Sequence, residues 1–429
     1  MNPQADLIPY VVAWLPLVAV VVGMSFSRKR PASGLVAAYT FQMWLLYWLG
    51  AMIHCLPWCE LPESDLTFLG FQQATCAMTA FVAGCLAAPL LLGSSLERVR
   101  AAHAVSPDYK LPVFYFCSGL VAYAVLVPLI GRIPSLNALT SVGSQLIVVG
   151  ICLGCWSAWL VRSQRRLVNW LLAALLLPAA TILAQGFLGY GTMALALVLV
   201  FVARFVQPRW LLPVAGLAAL YGGLSFYSAY MRDRNEIRAS VWGGEAASSR
   251  IARLRETVLS IEPFDFRNGE HLERVDGRIN QNGLVGAAVT FLAATGEYAR
   301  GETLWTAALG LIPRAIWPDK PQSGGSGDWV SRFTGITFAQ GTSVGIGPVL
   351  ELYANFTTWG VVIGFAILGL LLRFLDIASG GSLEAGRWRQ FAAYFLVGVS
   401  CLNVSGSFVE VTSSVVASAC CAKLVNSLA

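Results

Sequence analysis

Long apolar runs are the feature of this sequence that most limits what it can fold into. A membrane-spanning helix needs about 20 mostly apolar residues, and eleven runs of about that length occur in the chain. They cover 8–25, 35–53, 69–92, 112–131, 138–161, 169–186, 189–206, 210–229, 345–372, 390–408 and 410–427. The sequence therefore predicts an all-α polytopic membrane protein with about 11 transmembrane helices, and counts of about 10 to 12 also fit the weak boundary before the last run.

Composition excludes several classes of protein. Hydrophobic residues make up 56% of the chain and charged residues only 12%, whereas soluble domains carry roughly 25% charged residues. A water-soluble enzyme, a disordered chain and a nucleic-acid-binding module do not have this composition. The net charge of +6 therefore has to be explained by where the charges lie.

Basic residues concentrate in alternate loops between the apolar runs. They are Arg28, Lys29, Arg30, Arg98, Arg100, Lys110, Arg162, Arg165, Arg166, Arg204, Arg209, Arg373, Arg387, Arg389 and Lys423. Short loops rich in Lys and Arg stay in the cytoplasm. We therefore expect the N-terminus outside and the C-terminus in the cytoplasm, and the positive charge is mainly this orientation signal.

The same topology divides the chain into three parts. Residues 1–229 form an N-terminal transmembrane bundle of about eight spans, 230–344 form one large external loop, and 345–429 hold about three further spans. Within the loop, Ser248–Ile261 has the spacing of an amphipathic helix at a membrane surface. The apolar stretches 284–296 and 303–312 are too short to span. We expect them to be interfacial or re-entrant helices.

Cations in this loop are candidates for binding a lipid-linked phosphate or diphosphate. Arginine offers a planar fork of donors to such a group, and lysine offers a point charge. The candidates are Arg232, Arg234, Arg278, Arg314 and Lys320. The alternative is a solvated loop with internal ion pairs, because its acids and bases nearly balance.

Carboxylates and one histidine are candidates for a general base. Glu351 stands at the start of an apolar span, where an ionisable group is costly and marks a functional candidate. His271 has a suitable ordinary pKa. Glu410, between the last two spans, and Glu297, after a short apolar stretch, are similar but weaker candidates.

Two stretches resemble those of oligosaccharide repeat-unit polymerases, the O-antigen polymerase (Wzy-like) family. Residues 309–321, LGLIPRAIWPDKP, resemble the family pattern PR-x-x-W-P-x-K-P. Residues 347–356, GPVLELYANF, resemble G-x-x-x-E-x-Y-x-N-F-G, although here the final glycine is delayed to Gly360. The motifs cover about 309–360, and elsewhere the likeness is one of topology.

The resemblance implies a reaction at the periplasmic face of a bacterial inner membrane. A hydroxyl of one undecaprenyl-diphosphate-linked repeat unit attacks the anomeric carbon of a second lipid-linked glycan, and undecaprenyl diphosphate leaves. The family is not known to need a nucleotide sugar, a metal or another cofactor, and a chain-length regulator protein is a conceivable partner.

The resemblance also suggests roles for the candidate residues. Arg278, Arg314 and Lys320 would stabilise the leaving diphosphate, Arg314 thereby acting in catalysis, and Arg232 and Arg234 would anchor a second lipid diphosphate. Glu351 is the first choice as base and His271 the second. Trp317 and Tyr353 would stack on sugars, although interfacial aromatic residues need no such role.

Three alternatives remain open. A glycan ligase would share the architecture but use another acceptor. A lipid or oligosaccharide transporter would place ionisable residues deep in the membrane, whereas most of these spans are free of charge. A metal-dependent transferase would use an acidic pair such as Glu63 and Asp65.

Cys55 and Cys59 form a disulfide if their loop faces an oxidising compartment.

Overall fold

A computed structural model describes residues 3–27, 31–91, 109–130, 134–205, 211–312, 317, 326–338 and 344–428. Within these ranges every regular element is a helix. The first eight helices are α1 (Pro3–Phe26), α2 (Leu35–His54), α3 (Ser64–Leu91), α4 (Lys110–Leu126), α5 (Pro134–Leu160), α6 (Gln164–Gln185), α7 (Gly189–Ala203) and α8 (Leu211–Trp242). Two of them contain a wide π-helical turn, at Trp44–Trp48 in α2 and Ala122–Leu126 in α4.

The remaining helices include several short ones. They are α9 (Ala247–Leu259), α10 (Gly269–Ile279), α11 (Asn282–Thr295), α12 (Glu302–Gly310), α13 (Ser326–Thr334), α14 (Gly347–Glu384), α15 (Trp388–Ser400) and α16 (Phe408–Leu428). Each of the eleven predicted spans overlaps one of the longer helices or α15. In the described part of the chain, seven helices are long and apolar enough to cross a membrane: α1, α2, α3, α6, α14, α16 and the Val142–Leu160 part of α5. The all-α membrane class is confirmed to that extent, and the count of eleven stays a prediction.

The centre of the molecule is the crossing of α3 and α14, which make the most extensive contact of any two helices. Glycines allow their backbones to meet. A Cβ atom added to Gly84 would lie 2.0 Å from the carbonyl oxygen of Ala366, and one added to Gly369 would lie 2.2 Å from that of Phe81. Small residues of this kind let helices approach closely where the surrounding solvent is lipid.

The buried carboxylate of Asp376 ties the C-terminal part of α14 to the start of α2. Asp376 is fully buried, and one of its oxygens accepts hydrogen bonds from the backbone N–H groups of Ser33 (2.9 Å), Gly34 (2.7 Å) and Leu35 (3.0 Å). The other oxygen accepts a 2.9 Å bond from Arg373 Nη1. Asp376 thus satisfies donors that a helix N-terminus otherwise leaves unpaired.

Helix α11 is a short apolar helix that packs against the N-terminal half of α3. A Cβ atom on Gly286 would lie 1.9 Å from the carbonyl oxygen of Leu66, and one on Gly70 would lie 2.0 Å from that of Asn282. This close packing agrees with the expectation that 284–296 is held against the bundle. The predicted amphipathic helix also forms, as α9, with Ile251, Val258 and Leu259 exposed.

The α3–α14 crossing gives a test of the packing. We expect Gly369→Leu to lower stability by about 1–3 kcal/mol, because the added side chain must displace backbone. Thermal unfolding of the purified protein in detergent measures the effect. Gly222→Leu, in α8, is the matched control, because a Cβ there meets nothing within 4 Å. Equal melting temperatures for the two variants would contradict the close crossing.

Candidate functional site

The candidate residues that the structure describes lie towards one end of the bundle. At this end α2 ends at His54, α3 begins at Ser64, α14 begins at Gly347 and α16 begins at Phe408. We call this end the loop face, because much of the segment between α8 and α14 docks on it. Two polar groups of side chains form there. One surrounds Arg278 and the other surrounds Glu351.

The π-helical turn of α2 anchors the segment that carries Arg278. A wide turn departs from the regular helical bonding pattern, and such turns are common at functional sites. Here the Leu46 carbonyl oxygen accepts a 2.9 Å bond from the Gln281 N–H, and the Tyr47 carbonyl oxygen accepts a 2.7 Å bond from Asn282 Nδ2. Asn282 is fully buried, so the end of α10 is fixed to the bundle.

A second set of bonds holds the other side of α10. Buried His54 lies 2.9 Å from Ser64 Oγ through Nδ1 and 3.2 Å from an Asp276 oxygen through Nε2. Asn280 Nδ2 donates to Asp276 and to Thr67 Oγ1. Arg278 lies two residues beyond Asp276 and is exposed. The backbone that carries this arginine is thus rigidly placed, while its side chain is open to a ligand.

Arg278 joins Arg234 and Arg238 of α8 in an arginine cluster. Burial, together with the positive charges of Arg278 and Arg238, lowers the pKa of Arg234. Burial likewise lowers the pKa of Arg238, whose guanidinium lies 4.2 Å from the centre of the Phe187 ring. Among the described residues, none of the three forms an ion pair with a carboxylate. Three neighbouring cations without an acidic partner are a candidate site for an anion.

Arg232 is directed elsewhere. Its guanidinium donates to both Asp233 oxygens, at 2.8 and 3.1 Å, and to Ser260 Oγ at 2.6 Å. The Arg232 bond lowers the pKa of Asp233. The structure therefore brings Arg234 and Arg278 together but pairs Arg232 with an acid. Arg253, Arg274 and Arg332 also have carboxylate partners. For these arginines the structure therefore agrees with the alternative of a solvated loop with internal ion pairs.

Glu351 is fully buried in the first turns of α14. Its Oε2 accepts a 2.8 Å bond from the Phe408 N–H, at the N-terminus of α16. Its Oε1 has no hydrogen-bond partner among the described residues. The carboxylate is therefore held by one oxygen, while the other is buried without a hydrogen bond, close to Thr303.

Asn355 fixes the wall beside this carboxylate. Its Nδ2 donates to Thr303 Oγ1 and to the Glu351 carbonyl oxygen, both at 2.7 Å. Its Oδ1 accepts a 2.9 Å bond from the Gly301 N–H. The Ala299 N–H donates to the Ala354 carbonyl oxygen at 2.8 Å. These bonds clamp the turn at 299–301 onto α14.

Arg300 lies in that turn, between the two clamped residues. It is exposed and has a positive φ of 48°, which is uncommon for a residue other than glycine. No hydrogen bond or ion pair of Arg300 occurs in the described part of the chain. Arg300 and Arg238 were not chosen from the sequence as site residues, and both present a cation at the loop face.

A kink follows Asn355 at once. Phe356 (φ −140°, ψ 25°) and Thr357 (φ 57°, ψ −154°) leave the helical region. The Thr357 conformation is one that essentially only glycine adopts without strain. It falls where the resembling family pattern has its glycine. Beyond the kink, a Cβ on Gly360 would lie 2.6 Å from the Leu352 carbonyl oxygen, so the two parts of α14 lie in close contact.

Two of the other proposed bases, His271 and Glu410, have structural partners. His271 is buried, its Nδ1 accepts a 3.1 Å bond from the Asp265 N–H, and its ring stacks on Phe264. Glu410 and Ser407 form a capping box at the start of α16. The Glu410 carboxylate accepts a bond from the Ser407 N–H, and Ser407 Oγ accepts a bond from the Glu410 N–H. Glu297 is exposed. Among the described residues, His271 and Glu351 form no hydrogen bond or ion pair with each other.

The remaining candidates are placed as follows. Tyr353 is buried, with its ring centre 6.5 Å from that of Tyr298. Trp317 is exposed, whereas Arg314 and Lys320 lie outside the described residues.

Glu63 and Asp65 are both exposed. No group of three or more His, Cys, Asp or Glu side chains suited to a metal occurs in the described ranges. Cys55 and Cys59 are both free thiols, so the disulfide considered from the sequence is not formed in the structure. Burial raises the pKa of Cys55 to about 11.

Comparison with known proteins gives no match: no protein-family model, no curated protein and no solved structure resembles this chain significantly.

The strained residue of the kink gives a test. We expect Thr357→Gly to raise stability by about 1 kcal/mol, because relief of backbone strain of roughly 1–3 kcal/mol exceeds the entropy cost of a glycine, about 0.5–1 kcal/mol. Thermal unfolding in detergent measures it.

Thr358→Gly is the matched control for this test. It removes the 3.0 Å bond from Thr358 Oγ1 to Gln73 Oε1 and relieves no strain. We therefore expect it to lower the melting temperature. A Thr357→Gly variant that melts below the wild type would contradict the strain.

Proposed function

We infer that this chain is a membrane glycosyltransferase that polymerises undecaprenyl-diphosphate-linked oligosaccharide repeat units. The observation that carries the proposal is the arginine cluster of Arg234, Arg238 and Arg278, which has no acidic partner in the described chain. A diphosphate is the substrate group that such a cluster fits best. In this proposal the membrane is a bacterial inner membrane, and the loop face is the periplasmic side.

Two further features support a lipid-linked substrate. The helices that are long and apolar enough to cross a membrane would place the chain in a bilayer, which would hold the polyprenyl chain. The exposed apolar side chains of α9 would lie at the membrane surface. A substrate with a lipid tail and a diphosphate head would therefore find complementary surroundings at the loop face.

The motif resemblance gains support from the kink. Thr357 adopts a conformation favoured by glycine, at the position where the family pattern places glycine. A chain that has threonine in place of this glycine, and keeps the backbone conformation, would be strained at this residue. A glycine at this position, as in the family pattern, would adopt the conformation of Thr357 without strain.

In the proposed reaction, an acceptor sugar hydroxyl attacks the anomeric carbon of the donor. The bond from that carbon to the diphosphate oxygen breaks, and undecaprenyl diphosphate leaves with the electron pair. Fixed arginines would stabilise the charge that develops on the leaving oxygens. Glu351 Oε1, which has no partner in the described structure, would take the proton of the hydroxyl. Such a base contributes about 10²–10⁴ in rate.

The cations would divide between the two lipid diphosphates. Arg300 projects from the turn clamped beside Glu351, so it would face the leaving group together with Arg314 and Lys320. The arginine cluster would hold the second lipid diphosphate. Arg232, paired with Asp233, has a weaker claim to either role than Arg234.

One observation favours the transporter alternative: Arg373 and Asp376 form a buried ion pair within α14. Arg373 and Asp376 are 2% and 0% exposed. However, Asp376 is saturated by three backbone N–H groups, a hydroxyl and a guanidinium. A carboxylate bound so completely acts as a helix cap rather than as an ion carrier, and the polymerase remains the better proposal.

Deletion of the gene in its host tests the function. We expect surface glycan to change from long chains to single repeat units, because transfer between lipid-linked units would stop. Electrophoresis of the extracted glycan measures chain length. Unchanged chain lengths in the deletion strain would refute the polymerase, and lipid-linked units trapped in the cytoplasm would instead indicate a transporter.

Variants of the arginine cluster test the site. We expect Arg278→Ala and Arg234→Ala each to reduce polymer formation at least about ten-fold at normal protein levels, because a charged hydrogen bond to the second lipid diphosphate is lost. Arg274→Ala is the matched control, since Arg274 lies one turn away on the same helix and pairs with Glu270 at 2.7 Å. Full chain length in both cluster variants would exclude the cluster from the reaction.

Glu351→Gln separates a base from a helix anchor. Glutamine retains an oxygen to accept the Phe408 N–H bond but cannot take a proton. We expect a variant that folds and inserts normally, judged by its melting temperature, and that makes polymer at least about 10²-fold more slowly. If the variant polymerises normally, Glu351 only anchors α16.

A further inference from the structure

A cavity of about 360 Å³ lies at the end of the bundle opposite the loop face. It is bounded by α1, α3 and α14, near the C-terminal ends of α1 and α3. Its walls are mainly apolar, and they include Val20, Met24, Leu86 and Pro89. The volume is in the range of pockets that bind small ligands, about 300–1,000 Å³.

Arg373 supplies the charged part of this lining. The side chain is 2% exposed, and its Nε has no hydrogen-bond partner in the described chain. Nη1 donates to Asp376 at 2.9 Å, whereas Nη2 has only a long 3.4 Å contact with the Met24 carbonyl oxygen. A phosphate or carboxylate that reached the Nε–Nη2 edge would therefore find one donor without a partner and one with only a weak bond.

Asp376 does not prevent such a bond. Its other oxygen is held by Ser33 Oγ and by the backbone N–H groups of Ser33, Gly34 and Leu35. These donors share the stabilisation of its negative charge, so Arg373 is not its only partner. An unpaired donor in a buried place costs roughly 1–3 kcal/mol, and an anionic ligand would remove that cost.

The cavity opens towards the surface that a bilayer would cover. Val20 is 39% exposed and Leu86 is 51% exposed, and both belong to helices with the length and apolarity of membrane spans. A ligand that enters from this side has to carry apolar chains. The combination of an apolar entrance and a guanidinium at its inner end matches an amphiphile with an anionic head.

We propose that this cavity binds the phosphate of an anionic phospholipid from the surrounding leaflet. The lipid phosphate bonds the Nε–Nη2 edge of Arg373, and its acyl chains leave between α1 and α3 past Val20 and Leu86. Bound in this way, the lipid completes the hydrogen bonding of the buried arginine and fills the space between the helices. The site is separate from the loop face and does not depend on the proposed reaction.

Gly23 provides a variant that blocks the cavity without disturbing the ion pair. It lies on the cavity face of α1, with Val20 and Met24, and a Cβ there meets nothing within 4 Å. Gly23→Trp therefore fills the cavity while Arg373 and Asp376 keep their bonds. Gly216→Trp in α8, where a Cβ also meets nothing within 4 Å, is the matched control.

Native mass spectrometry of the full-length, delipidated protein in detergent measures lipid binding. The probes are phosphatidylglycerol, diacylglycerol with the same acyl chains, and inorganic phosphate. We expect one phosphatidylglycerol to bind wild type and Gly216→Trp equally, and at least about ten-fold more weakly to Gly23→Trp, in line with loss of a charged hydrogen bond. Diacylglycerol should bind at least about ten-fold more weakly than phosphatidylglycerol.

Three outcomes would overturn the proposal. Equal phosphatidylglycerol binding by Gly23→Trp and wild type would place the lipid elsewhere. Equal binding of diacylglycerol and phosphatidylglycerol would remove the role of Arg373. Displacement of the lipid by inorganic phosphate at the same concentration would assign the cavity to a soluble anion.

Discussion

The close crossing of α3 and α14 is the contact on which the rest of the molecule depends. The backbones meet at Gly84 and Gly369, and a membrane interior offers no hydrophobic force to hold helices that pack less well. Helix α14 carries Glu351 at one end and the Arg373–Asp376 pair near the other. The position of each polar group therefore follows from this one crossing.

Hydrogen bonding determines what is attached to that frame. In a bilayer, backbone N–H and C=O groups must find partners within the protein. In the π-helical turn of α2, the Leu46 carbonyl oxygen accepts a hydrogen bond from Gln281 and the Tyr47 carbonyl oxygen accepts one from Asn282. An irregularity in one helix thus becomes the attachment point of another segment. It is this attachment that brings Arg278 to the loop face.

Much of the fold follows from the sequence because its cause is local. Apolar length alone predicts the helices, and the short stretch 284–296 was expected to pack on the bundle, as α11 does. The extent of α8 was missed. The apolar run ends near 229, but the helix continues to Trp242, because polar residues such as Arg234 and Glu236 are compatible with a helix that leaves the bilayer.

Because the continuation of α8 was missed, Arg232 and Arg234 were chosen from the sequence but Arg238 was not. On a helix, residues four apart share a face, whereas residues two apart point in nearly opposite directions. A continuous α8 therefore groups Arg234 with Arg238 and separates Arg232, which pairs with Asp233. This grouping was within reach of the sequence. The approach of Arg278 was not, because it depends on bonds between distant segments such as Asp276 and His54.

The kink at Thr357 depends on contacts that the sequence motif alone does not show. Strained backbone persists only where neighbouring contacts determine it. Here three bonds of Asn355 fix the residues before the kink, and the bond from Thr358 to Gln73 fixes those after it. The strained residue therefore lies where the part of α14 that carries Glu351 joins the part that crosses α3.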